Sequence, residues 1–201
     1  MHLRLTPRLN RRTLIAAGLL AAALPWSAHA VEVAGVNVEP TAKVAGKELK
    51  LNGAGVRTRV IIKVYVMALY LTEKKDTAAA VLDAPGPRRF ALTMLREVTG
   101  DDFGQAFMAG ITANTDKAER SKFVNQLAAF GEVFVNQGTM KKGDVLTADW
   151  VPGTGMVMAI NGKSVGEPLP DVGFYNAVLK IWLGEKPVDT SLKPALLGGK
   201  A

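Results

Sequence analysis

Residues 51 to 71 read LNGAGVRTRVIIKVYVMALYL, a run whose pattern sets the architecture on either side of it. In an extended chain Ile61, Lys63, Tyr65, Met67, Leu69 and Leu71 share one side, and Ile62, Val64, Val66, Ala68 and Tyr70 share the other. Both sides are largely apolar. The run is rich in β-branched and aromatic residues and bounded by glycine and charge. It predicts a central strand covered on both faces, entered through a glycine-rich turn that delivers Arg57, and carrying Tyr65.

Upstream, VEVAGVNV (31 to 38) alternates weakly and predicts an edge strand ended by Pro40, and Val44 to Leu51 predicts a hairpin-like entrance turning at Gly46-Lys47. Downstream, an Ala-rich helix is expected over Thr77 to Leu82, and a strand over Arg88 to Leu95 with Phe90, Leu92 and Met94 on one face. From Thr99 the period changes to about 3.6. Phe103, Phe107 and Ile111 mark one helix, and Phe123, Leu127, Phe130 and Phe134 a second from Asp116 to Asn136, with Gly131 as its point of interruption. Asp144 to Val151, Gly155 to Ile160 and Lys163 to Val165 form a meander turning at Pro152-Gly153 and Asn161-Gly162. Pro168 to Gly184 predicts a helix capped by Asp171, and Ser191 to Leu197 a short last one. Strands, helices, strands and helices in separate runs imply an α+β domain, an antiparallel β-sheet with helices packed on one face and a cleft between the layers.

The first thirty residues have a basic start (Arg4, Arg8, Arg11, Arg12), an apolar stretch from Leu14 to Leu24, and Ala28-His29-Ala30 before Val31. They read as a signal peptide over 1–30, cut after Ala30, which leaves a single domain over 31–201 and a periplasmic or secreted protein with no stable membrane span. Arg11-Arg12 also resembles a twin-arginine export signal. Without the leader, 21 Lys and Arg face 18 Asp and Glu, so the formal +7 falls to +3. No basic stripe with interleaved aromatics is present, which argues against nucleic acid as a partner. Both histidines, His2 and His29, lie in the leader, and cysteine is missing. This excludes His- or Cys-ligated metals, Ser-His-Asp and Cys-His hydrolases, and disulfides from the mature chain. No metal or cofactor is expected.

GAGVR, the strand KVYVMALYL, and the late segment NAVLKIWLGEKPVDTSLK resemble, in look and order, the chalcone isomerase superfamily over nearly all of residues 31 to 198. The most specific parts are GAGxR and the LGE-x-x-V-x-x-x-LK ending. The resemblance implies a chalcone-isomerase-like open-faced sandwich. It also implies membership in a group containing plant enzymes that cyclise chalcones, plastid proteins that bind fatty acids, and bacterial members of other roles. By the resemblance, the family arginine falls on Arg57, which in the enzymes favours the attacking oxyanion. Tyr65 stands where the plant enzymes carry threonine, and an Arg–Tyr pair of this kind resembles the fatty-acid-binding branch. The enzymes' catalytic tyrosine falls on Phe103, their asparagine on Gly110, and a further hydroxyl-bearing residue on Ile181. Loss of such a phenol would remove about 2 to 4 kcal/mol of transition-state stabilisation.

Three readings follow. In the first, Arg57 and Tyr65 anchor a small apolar anion such as a fatty acid, because a carboxylate entering hydrocarbon needs a cation that stays charged and a further donor. In the second, an isomerase or intramolecular lyase acts on a chalcone-like or other enone substrate, with Arg57 on the oxyanion and Tyr65 or Lys63 handling the proton. In the third, the chain is an exported accessory protein without a small ligand. Against the first stands a purely structural alternative, in which Arg57 pairs with a local carboxylate, Tyr65 is a core residue, and the phenylalanines at helical spacing are core.

Overall fold

The computed structural model describes His2 and residues 30–199. The expected leader, apart from His2 and Ala30, lies outside the described residues. Seven strands form one antiparallel sheet: β3 (Thr41–Val44), β4 (Lys47–Arg59), β5 (Ile62–Leu71), β6 (Arg88–Met94), β9 (Val145–Val151), β10 (Gly155–Ile160) and β11 (Lys163–Leu169). Their order is β11-β10-β9-β6-β5-β4-β3. Two small pairs stand apart, β1 (Val31–Val33) with β2 (Val36–Val38), and β7 (Val98–Thr99) with β8 (Thr139–Met140). The helices are α1 (Ala78–Leu82), α2 (Gly100–Asn114), α3 (Lys117–Lys122), α4 (Val124–Gln137), α5 (Val172–Leu183) and α6 (Leu192–Leu196). None among the described residues is long and apolar enough to cross a membrane.

The expected α+β layering is present, with helices on one face of a curled sheet. Met67, Leu69 and Leu71 of β5 join Phe90, Leu92 and Met94 of β6 and the apolar stripes of α2, α4 and α5 in the main core. Val66, Ala68 and Tyr70, on the opposite side of β5, pack with Val38, Val44 and Leu49 in a second core. The strand is therefore covered on both sides, as its two apolar faces require.

The run from 51 to 71 differs from its expectation in two ways. It is a hairpin, not a turn followed by one strand: β4 and β5 pair with Arg59 opposite Ile62, and the chain reverses at Val60-Ile61. The GAG glycines lie inside β4, with Gly53 opposite Leu69 and Gly55 opposite Met67. They make room for α6 rather than a turn. A Cβ on Gly55 would stand 2.8 Å from the Ala195 Cβ and 2.9 Å from Leu192 Cδ1, and one on Gly53 would collide with the carbonyl oxygens of Ala195 and Leu196. The GAGxR unit and the LK ending, distant in sequence, thus touch in the fold. Asn52, at an irregularity of the ladder, fastens the same corner by donating to the Lys75 and Leu196 carbonyls and accepting from the Lys75 N–H.

Three other boundaries move. Residues 31 to 38 form the β1–β2 hairpin, because Ala34-Gly35 adopts positive φ and reverses the chain. The second long helix breaks at Phe123 instead of Gly131: Phe123 leaves helical geometry to seat its buried ring edge-on against Phe174, 5.7 Å between centroids. The last strand runs to Leu169, so α5 starts at Val172 behind the Asp171 cap, whose carboxylate accepts from the Gly173 N–H. Arg88, 1% exposed, donates to the Val81 and Leu82 carbonyls and to Asn176 Oδ1, satisfying the end of α1 and tying it to α5.

Candidate functional site

Period two along β4 places Gly53, Gly55 and Arg57 on one face. The glycines lie under α6, and Arg57, one step beyond its footprint, lines a cavity of about 410 Å³ between the sheet and the helical layer. Across the hairpin, Tyr65 is directly opposite Arg57 and lines the same cavity. A β-bulge follows, since Thr58 pairs with Lys63 and leaves Val64 as the extra residue. Val64 is thereby turned to the helical side, where it lines the cavity beside Tyr65. Lys63 is exposed.

Phe90 and Leu92 form part of the floor, and Phe103 and Phe107 of α2 with Ile181 and Trp182 of α5 form part of the roof. Phe107 is stacked on Phe130 at 3.9 Å between centroids, and Phe103 on Phe134 at 4.3 Å. These rings belong both to the core and to the cavity wall. The resemblance placed two lost polar groups at Phe103 and Ile181, and both are hydrocarbon lining. Gly110, the third position, does not line the cavity. A Cβ there would stand 2.8 Å from Ile181 Cγ2, so the glycine allows α2 and α5 to approach closely.

The polar groups are few and specifically arranged. Trp182 Nε1 donates to the Tyr65 hydroxyl oxygen at 2.8 Å, with both side chains buried. Among the described residues the Tyr65 proton has no acceptor, so it is available to a guest. Burial pushes the phenol up to about 12, against opposing effects of the Arg57 charge and the Trp182 hydrogen bond. Tyr65 is consequently a neutral donor at physiological pH. The Arg57 guanidinium carbon lies 5.7 Å from the centre of the Tyr65 ring. No carboxylate of the described residues is within 4.0 Å of the Arg57 guanidinium, and it makes no hydrogen bond to them.

Asp189, the nearby acid, is engaged elsewhere: Oδ2 accepts from the Thr58 N–H at 2.8 Å, and Oδ1 accepts from the Ser191 N–H and hydroxyl and from the Leu192 N–H. Burial alone would raise its carboxyl, but these donors hold it below the usual range. Its work is to fasten the loop before α6 to β4. Glu97 and Asp102 also line the cavity, both as exposed side chains. Among the described residues no three His, Cys, Asp or Glu side chains cluster as a metal ion would require.

Arg57 and Tyr65 are therefore brought together, while Lys63 is not. Trp182 and Asp189 were not expected at the site. In the sequence Trp182 is only one apolar residue within the helix expected over Pro168 to Gly184, although a buried indole N–H needs an acceptor and tyrosine is a common one.

Residues 30–198 match a family model described as chalcone isomerase-like. No curated protein matches the chain by sequence. Among solved structures, the crystal structure of an Arabidopsis thaliana fatty-acid binding protein, AtFAP1, is similar with a TM-score of 0.65 at 16% identity, over 81% of this chain and 92% of that one. At this identity the likeness is one of fold.

Proposed function

The chain belongs to the chalcone isomerase-like family, and from that premise we propose that it binds an amphipathic carboxylate, a fatty acid being the simplest, with its tail in the cavity and its head on Arg57 and Tyr65. One observation carries the reading: a guanidinium and a phenol that have, among the described residues, no carboxylate partner and no acceptor for the phenol proton face each other across one hairpin at an apolar cavity. A carboxylate accepts from both, Arg57 supplying charge that does not titrate and Tyr65 a neutral donor fixed by Trp182. The volume falls within the range of small-ligand sites. The fatty-acid binding named for AtFAP1 supports the choice of ligand class. Binding rather than cyclisation is favoured because Tyr65, raised to about 12, is a weak proton donor or acceptor near neutral pH, and Phe103 and Ile181 offer none.

In this reading residues 1–30 direct export and are removed, and residues 31–201 act as one domain in the periplasm or outside the cell. Mass spectrometry of the exported protein tests that part: the expected first residue is Val31. The ligand is tested by expressing residues 31–201, extracting co-purified small molecules, and repeating the extraction with Arg57→Ala. Fatty acids present in the wild type and absent from the variant are expected. An empty wild type that shows no thermal shift with added fatty acids overturns the proposal.

A further inference from the structure

The tip of the β4–β5 hairpin violates two rules at once. Val60 is 92% exposed, Ile61 87% and Ile62 48%, so three adjacent large aliphatic residues face water. Val60 also has φ +60 at the first of the two turn positions, a place that calls for glycine in a tight hairpin. A β-branched residue there is strained. Asn, Asp or Gly would turn the chain with neither strain nor exposed hydrocarbon. Neither core uses the tip, since no hydrophobic cluster of the described residues includes these three side chains.

The surroundings indicate what covers it. Arg59 and Lys63 flank the tip on the two strands, and Arg96, just after β6, is beside it through the hydrogen bond from the Leu95 N–H to the Val64 carbonyl. All three are exposed, and none is ion-paired among the described residues. Glu97 and Asp102 are the opposing charges at the cavity. A convex apolar point ringed by cations is too small and too curved for a stable protein–protein interface, which needs on the order of 1,000 Å². It suits the boundary layer of a bilayer, where aliphatic side chains enter the acyl region and cations meet phosphate groups. Val60, Ile61 and Ile62 also line the cavity, so the same contact would put its mouth at the lipid.

We propose that the Val60–Ile62 tip docks the protein on a bilayer containing anionic phospholipid, with Arg59, Lys63 and Arg96 facing the phosphates. Docking is independent of what the cavity holds and is measured without a cavity ligand. Residues 31–201, which the family model covers almost throughout, are sedimented with vesicles of phosphatidylcholine alone or of equal parts phosphatidylcholine and phosphatidylglycerol. The wild type is expected to partition to the mixed vesicles, less strongly as salt rises. Ile61→Asp should weaken partitioning by about tenfold or more. The Arg59→Gln/Lys63→Gln pair should weaken it by about twenty-five-fold, at about fivefold per cation. Ile61→Ser serves as the second variant, and circular dichroism confirms that each is folded. Equal sedimentation of wild type and Ile61→Asp overturns the proposal. So does a charge-pair variant that keeps full preference for phosphatidylglycerol. A wild type that elutes as a dimer which Ile61→Asp separates would make the tip a protein interface and likewise overturn it.

Discussion

The Tyr65 oxygen accepts from Trp182 within the protein, and in the proposed function its proton is donated to the guest. Tyr65→Phe removes both. The Trp182 N–H is then buried without a partner, which costs about 1–3 kcal/mol. The converse variant, Trp182→Phe, removes a donor and leaves a hydroxyl that still faces the cavity, so its loss of hydrogen bonding should cost less. Alkaline pH separates the effects further. The folded phenol is raised from 10.0 to about 12, so its neutral form contributes stability that is fully present below about pH 10 and is lost as pH rises to about 12, roughly 3 kcal/mol in all. Phenylalanine has no such contribution. Urea unfolding at neutral pH and at about pH 11 should therefore show the gap between wild type and Tyr65→Phe narrowing as pH rises. Wild type continues to weaken there because burial also raises Tyr70 and Tyr175. A gap that stays constant would mean that the phenol is solvated.

At the scale of elements, glycines set the distances between neighbours. Gly55→Ala forces its new methyl against Ala195 and Leu192, and overpacking of this kind costs about 1–3 kcal/mol. Ala195→Gly in the same chain should return much of that stability, because it removes the facing methyl, less about 1 kcal/mol for glycine in a helix. Gly110→Asn introduces the amide that the resemblance implies for this position in the plant enzymes, but it meets Ile181 between α2 and α5. It should lower the thermal midpoint, and Ile181→Ala should restore part of the loss. A destabilisation that Ile181→Ala does not relieve would mean that the helices separate elsewhere. The same elements explain what could be read in the chain. Helix stripes, Asn161-Gly162 and the alternating faces of β5 and β6 were legible because local pattern and tertiary burial agree there. The hairpin at Val60-Ile61 was not, because apolar alternation continues through a turn built from residues that normally avoid turns. The GAG glycines carried an equally misleading local signal, since the reason for them is α6, about 140 residues away in sequence. Arg57 and Tyr65 were legible as the polar residues of an apolar run, whereas the role of Trp182 depends on a contact across the whole domain.

Across the whole molecule, seven strands and the helical layer enclose a cavity that the core does not fill, and its lining side chains lose packing partners wherever it is empty. A ligand that binds only the folded chain restores those contacts and stabilises by mass action, about 2.7 kcal/mol at a hundred times its dissociation constant. For a domain of this length that corresponds to roughly 5 to 10 °C in midpoint. Saturated fatty acids of increasing chain length should raise the midpoint of residues 31–201 until the tail outgrows the cavity, and the length of greatest effect measures the space available. The head group is then separable from the tail. Arg57→Ala should remove most of the shift caused by the fatty acid, because a carboxylate without its guanidinium must enter the cavity uncompensated. The primary alcohol of the same chain length carries no charge to compensate. It should give a smaller shift in the wild type and nearly the same shift in Arg57→Ala. Equal shifts for the acid in both proteins would show that the cavity selects hydrocarbon alone and that Arg57 does not anchor the head.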